Sequence, residues 1–199
     1  MRDPTPEQVQ KFWRYMMAVF KASVVDKRNS FEMKALSALL GRAGIIDPEK
    51  FLQHYATTIG RRIYVPFDIG VPTPEWSLWD QIVVCAHECQ HINQLDWMGP
   101  LRFAWKYLGS SRGRAHLEAE AYRCQLELHY WHTGEILPAE QIVASLKAYN
   151  VSDADIEFAA TIIRMASEAV RRGAITNQAS HAAIEYLDGY AHELRAPSN

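Results

Sequence analysis

His87, Glu88 and His91 fall within one short stretch, Cys85-Ala86-His87-Glu88-Cys89-Gln90-His91, and their types and spacing suit metal-assisted hydrolysis. On a helix, residues four apart project from one face, about 40° apart around the axis, so both imidazoles can reach a single ion. The glutamate between them lies about 60° to 100° to the side. From there it can contact a water without joining the ligands, which is the position of a general base. Imidazole is a borderline ligand, and zinc accepts three protein ligands plus a water, so Zn2+ is the cofactor this motif implies. Two surface histidines on an ordinary helix would share the spacing. The apolar run from Ile82 to Ala86 argues against that, because buried histidines around a buried glutamate are costly without a metal or other partners.

Other residues near the motif separate by angle. Cys85 and Cys89 are also four apart, but their face lies about 160–200° around the helix, so they read as packing residues. Asp80 and Gln94 fall nearer the histidines. Asp80 is accounted for as a helix cap, while Gln94 is a candidate to brace a ligand or line a cleft.

A third ligand must come from elsewhere. One common zinc class, the metzincins, has a glycine and then a histidine downstream of the motif, where this chain has Gln94 and Trp97. That leaves a carboxylate on a second helix, and the segment Arg114 to Tyr122 offers two. Glu118 shares a stripe with Ala115, Leu117, Ala121, Tyr122, Leu126 and Leu128, the face expected to meet the core. Glu120 points about 200° away, among His116, Arg123 and Glu127, and reads as a solvated charge. A carboxylate on an apolar stripe needs a partner, so Glu118 is the expected ligand.

HECQH followed by Glu118-Ala119-Glu120-Ala121-Tyr122 resembles the gluzincin metallopeptidases, and is similar to the small ones that carry HExxH and a downstream ExxA. The resemblance spans about residues 60–132, and the compact layout also resembles phage and prophage proteins. It implies that His87, His91 and Glu118 hold zinc, that Glu88 is the catalytic acid/base, and that Ala121 lets the two helices approach. Many relatives have an aspartate after that alanine; here Tyr122 stands there, as a second candidate for the cleft or the ligands' surroundings. The implied activity is peptide-bond hydrolysis by a zinc-activated water. The edge strand beside the cleft would correspond to Arg62–Phe67. Tyr107, Tyr122, His116 and His129 are all candidates for the donor that would stabilise the oxyanion.

These residues need helices to carry them, and helical punctuation dominates the chain. Thr5-Pro6-Glu7-Gln8 predicts a capped helix through about Val25. A second helix is expected from about Ser30 to Leu40, stopped by Gly41, and a third from Asp47-Pro48 that fades near Thr57 to Gly60. Arg62 to Phe67 alternates like a strand, and Pro66 confines it to a sheet edge or to a very short length. Ser77 with Asp80 opens the motif helix, which runs to about Trp97 before Gly99-Pro100. A short apolar piece, Leu101 to Leu108, and a loop through Gly113 precede a long helix from about Arg114 to Trp131. Three more helices are expected near 138–148, 153–172 and 178–193. The fold class is therefore mainly α with a small β-sheet (α+β): a zincin-like helical core with the HExxH helix, a second ligand helix and C-terminal helices. It is read as one domain over 1–199, with 136–199 as a helical appendage of that domain.

Composition narrows the function classes. A hydrophobic fraction of 48% and a charged fraction of 22% describe an ordinary globular chain. The net charge of −2 supplies no overall basic field towards nucleic acid or anionic lipid, so neither a nucleic-acid nor a membrane partner is expected. No apolar run reaches the length of a membrane helix, and the start lacks the layout of a signal peptide. With three cysteines, an odd number, a reducing compartment and a cytoplasmic location are expected. The expected partner is a peptide or protein substrate. The competing reading is a non-catalytic, zinc-stabilised helical protein that binds a partner in an assembly. An enzyme needs an open groove at the metal; a binding module needs an exposed apolar patch. The six tryptophans are expected mostly in the core.

Overall fold

The computed structural model describes residues 2–42 and 47–197. The fold is mainly helical with one small mixed sheet, as expected. Helix α1 (Pro6–Val19) opens with the anticipated capping box, Thr5 and Gln8 bonding each other's backbone. It stops six residues short of Val25, the end predicted for it. Lys21 takes a positive φ of 48° and turns the chain into strand β1 (Ser23–Asp26). The β-branched pair Val24-Val25 fits a pleated strand better than a last helical turn, and the sequence reading missed this.

Helix α2 (Phe31–Arg42) continues through Gly41, which was expected to end it. A Cβ at Gly41 would collide with the Pro48 ring, so the glycine lets α3 (Pro48–His54) approach. The stretch where α3 was expected to fade is instead strand β2 (Thr57–Ile59), followed by β3 (Arg62–Val65). The strand order is β1-β3-β2, with β1 parallel and β2 antiparallel to β3. β3 ends before Pro66, so it satisfies the proline by being short. It lies at the centre of the sheet and not at its edge, because β1 and β2, both absent from the sequence reading, flank it.

Helix α4 (Leu78–Met98) carries the HECQH motif and starts at the Ser77–Asp80 capping box. It packs against α1, α5 (Pro100–Leu108), α6 (Ser111–Thr133) and α9 (Gln178–Tyr190). Helix α6 starts a turn earlier than Arg114, because the Ser110 hydroxyl accepts from the Gly113 N–H, and ends at left-handed Gly134. On its far side α7 (Ala139–Val143), a 3-10 turn (Ala144–Tyr149) and α8 (Asp153–Arg171) form a second core with Ala115, Ala119 and Leu126. Within the stretch expected as an appendage, the described residues 136–197 divide: α7 and α8 enclose α6 from outside, while α9 returns to the core shared by α1 and α4. No helix among the described residues is long and apolar enough to cross a membrane.

Arg114 ties these layers together. It is buried, and its guanidinium donates to the carbonyls of Tyr107, Tyr149 and Asn150 at 2.7, 2.8 and 3.0 Å. Arg114→Ala leaves three carbonyls without their donor, so urea unfolding should show a loss of about 2–4 kcal/mol. A loss below about 0.5 kcal/mol would show that water replaces the guanidinium.

Candidate metal centre

Two helices bring the motif together. From α4, His87 and His91 project towards α6, which supplies Glu118 from a position where only 1% of its surface is exposed. The Nε2 atoms of His87 and His91 are 3.1 Å apart. Glu118 Oε2 lies 3.4 Å from His87 Nε2, and Oε1 lies 3.7 Å from His91 Nε2. These three residues offer ligand atoms that all lie within 4.8 Å of one another. Two ligands on a tetrahedral zinc, at about 2.0–2.1 Å from the ion, stand about 3.3 Å apart, so the cluster has the right size. Glu118 Oε2 is buried and receives no hydrogen bond among the described residues. A cation would satisfy it, and the residues fit zinc by donor type and by spacing.

Gln94, expected near the ligands, braces one of them. Its amide nitrogen donates to the Leu117 carbonyl at 2.8 Å and to Glu120 at 3.1 Å. Both are acceptors only, which turns the amide oxygen towards His91 Nδ1, 2.9 Å away. Nδ1 therefore keeps its proton, and once Nε2 has lost the other its lone pair faces the position between the three residues. Glu120 is thus more than the expected surface charge: it is half-buried and holds the brace. The face it shares with Glu127 is covered as well. Glu127 is buried and accepts from the Thr176 N–H at 2.9 Å, because the chain entering α9 crosses α6 there.

Glu88 stands outside the ligand set, as its angle required. Its carboxylate accepts from the Thr58 hydroxyl of β2 at 2.7 Å. The cleft strand is therefore β2 and not Arg62–Phe67, which lies one strand further in. Buried Lys27 steadies the entry to β2 by donating to the Tyr55 carbonyl at 2.8 Å and to Thr57 at 2.7 Å. Burial pushes the Lys27 ammonium down to about 7, with the charge of Glu88 opposing.

Of the four oxyanion candidates, the structure brings Tyr107 to the ligands. Its hydroxyl donates to Glu118 Oε1 at 2.6 Å, and it lines the cavity described below. The Tyr122 ring packs on His87 at 4.9 Å between centroids, and its hydroxyl accepts from Ser145. His116 lies against Lys106, and His129 does not line the cavity. Thr58 and Tyr149, which also line it, carried no sequence signal; each belongs to a segment whose fold was misread or left coarse. Cys85 and Cys89 are buried in the core behind the site, as expected.

Burial opposes charge on both His91 and Glu118, but their mutual attraction outweighs it. His91 is raised to about 9, helped by Glu88 and Gln94. Glu118 is held far below the usual carboxylate range by His91 and His87. Burial and then Glu118 push the Tyr107 hydroxyl well above its usual value, so it remains a donor. A cavity of 370 Å³ opens onto His87, Glu88 and His91, walled by Leu36 and Leu40 of α2, Phe51 of α3, Ile59 of β2 and Phe103 of α5. Compared with known proteins, the chain matches no family model, no curated protein and no solved structure.

Protein purified without added metal is expected to carry or take up about one zinc per chain. Zinc titration by calorimetry should lose measurable binding in Glu118→Ala, weaken by about 10–100-fold in Gln94→Ala, and change less in Glu120→Ala. Equal effects at positions 118 and 120 would mean that α6 is turned from the orientation described. The raised His91 also sets a pH dependence. Below about pH 9 the metal-free ring is protonated and must release that proton to bind metal. Zinc affinity should then rise by about tenfold per pH unit from 7 to 9 and level off above, and a flat profile over that range would contradict the pairing with Glu118.

Proposed function

We propose that the protein is a zinc-dependent metallohydrolase, and most specifically a peptidase. The observation that carries this reading is the cavity opening onto Glu88 beside three residues able to hold one ion. Zinc held by His87, His91 and Glu118 would supply Lewis acidity towards a carbonyl oxygen and acidify a water. The chain's own residues do the rest. Glu88 accepts a proton from the attacking water and returns it to the leaving nitrogen, while the Thr58 hydroxyl keeps its carboxylate aimed at the cavity. Tyr107 orients Glu118, and Gln94 fixes the tautomer of His91. β2 is an edge strand, so an extended peptide could pair along it and bring an amide to the cavity.

The second reading, a non-catalytic zinc-stabilised protein that binds a partner, is favoured by one observation: apolar residues exposed on the outer side of α5. A peptide-library digest separates the two. Wild type should cleave, and Glu88→Gln should retain zinc and fold while its activity falls by about 10² or more. Wild type that holds full zinc yet cleaves nothing would favour the non-catalytic reading. Equal cleavage by both proteins would remove Glu88 from the chemistry.

A further inference from the structure

Helix α5 walls the cavity with Phe103, Ala104 and Tyr107 and carries an apolar stripe on its outer side, with Leu108 at the rim where the two meet. Leu101 is 87% exposed, Trp105 78% and Leu108 50%, and Trp97 at the end of α4 is 77% exposed. Trp13 and Trp131 are buried in the core and Trp76 and Trp79 pack against it, as expected of most of the six tryptophans; Trp97 and Trp105 are the two that face outward. Leu101, Trp105 and Leu108 follow each other at helical spacing, and the Arg102 guanidinium lies 6.0 Å from the Trp97 ring, so the four form one patch. Of the other large exposed apolar residues, Phe31 and Leu39 share α2 without a tryptophan between them, and Val19, Met165 and Tyr190 lie on separate elements. A stripe of this kind, with two tryptophans, is the mark of an interaction surface.

Its charge points to the occupant. No acidic residue lies between Asp96 and Glu118, whereas Arg102 and Lys106 both sit on α5. Asp96 is paired with Arg61 at 2.7 Å, and Glu118 is buried in the site. Glu120, beside Lys106 and His116, is engaged by Gln94. A second copy docking through the same face would bring together two surfaces that each carry exposed Arg102 and no unpaired acid from α5 to answer it, which disfavours self-association. Tryptophan, leucine and basic side chains together suit the boundary between anionic headgroups and acyl chains. The net charge of −2 conceals this stretch by averaging it with acidic residues elsewhere.

We infer that the face formed by Trp97, Leu101, Trp105 and Leu108, flanked by exposed Arg102 and with half-buried Lys106 behind it on His116, docks on an anionic lipid bilayer. The helix lies in the interface and does not span it. Co-sedimentation of the full chain with phosphatidylcholine vesicles, with and without about 30% phosphatidylglycerol, tests this, with tryptophan emission read in parallel. Expected are binding at least about tenfold stronger to the anionic vesicles, a blue shift on binding, and weakening by 0.5 M salt. The double variant Leu101→Ser, Trp105→Ser should lose the binding while keeping wild-type helicity and thermal unfolding, since both side chains are exposed. Arg102→Glu should weaken it while leaving Leu101, Trp105 and Leu108 in place. Folded wild type that ignores anionic vesicles, or binds both compositions equally, overturns the inference. So does a double variant that binds like wild type, or a solution dimer that this variant converts to monomer.

Discussion

A carboxylate buried between two imidazoles governs this structure. Removing an ionised group from water costs several kcal/mol even after relaxation, so Glu118 is tolerable only where positive charge or strong donors meet it. Much of the surrounding architecture answers that requirement. Tyr107 reaches one oxygen from α5, and the two histidines face the carboxylate from α4. Ala86 on α4 and Ala121 on α6, both fully buried, keep side-chain bulk out of the packing around these helices. Arg114 then fixes the carbonyl of Tyr107 itself, so the donor to Glu118 is held at both ends of its residue. Both imidazoles lie against the Glu118 carboxylate, and the same atoms are spaced so that one ion could take their place as its partner.

The two oxygen-bearing acids of the site are treated differently. Glu118 is held by helices alone, within one rigid pair. Glu88 shares the motif helix with the histidines, but its carboxylate is positioned from the sheet, through Thr58. That strand depends in turn on Lys27, whose ammonium is buried over the Phe51 ring at 3.5 Å and bonded to the chain entering β2. The first helices and strands are thus part of the site although none of them bears a ligand.

What the sequence revealed followed from local rules. Capping boxes at Thr5 and Ser77 act over three residues, and they marked helix starts correctly. The angles within HECQH and around Glu118 depend only on helical geometry, which explains why the grouping of His87, His91 and Glu118 and the separate place of Glu88 were legible. Gln94 was found by the same rule. The misses needed tertiary partners. Ser23–Asp26 becomes a strand because Arg62–Val65 is there to pair with it. Gly41 stays helical because Pro48 packs on it. Glu120 and Glu127 fell on a polar face of α6, and only the arrival of the chain before α9 buries Glu127. Thr58 and Tyr149 reach the site by chain reversals that no periodicity records. Trp97 and Trp105 look like core residues by type, and only the layering shows them facing outward.

The parallel pairing of β1 with β3 bears on the order in which the molecule assembles. The two strands are separated in sequence by α2, α3 and β2, so their hydrogen bonds form only after a long stretch of chain has been closed. By contrast, α4, α5 and α6 are consecutive and join through short turns, and such local contacts form early. The residues that would hold the ion thus belong to the part of the fold with the shorter search. The strand that aims Glu88 belongs to the part with the longer one. A newly made chain would then have His87, His91 and Glu118 together before Glu88 is aimed, and the closure of the sheet would be the step that completes the cluster.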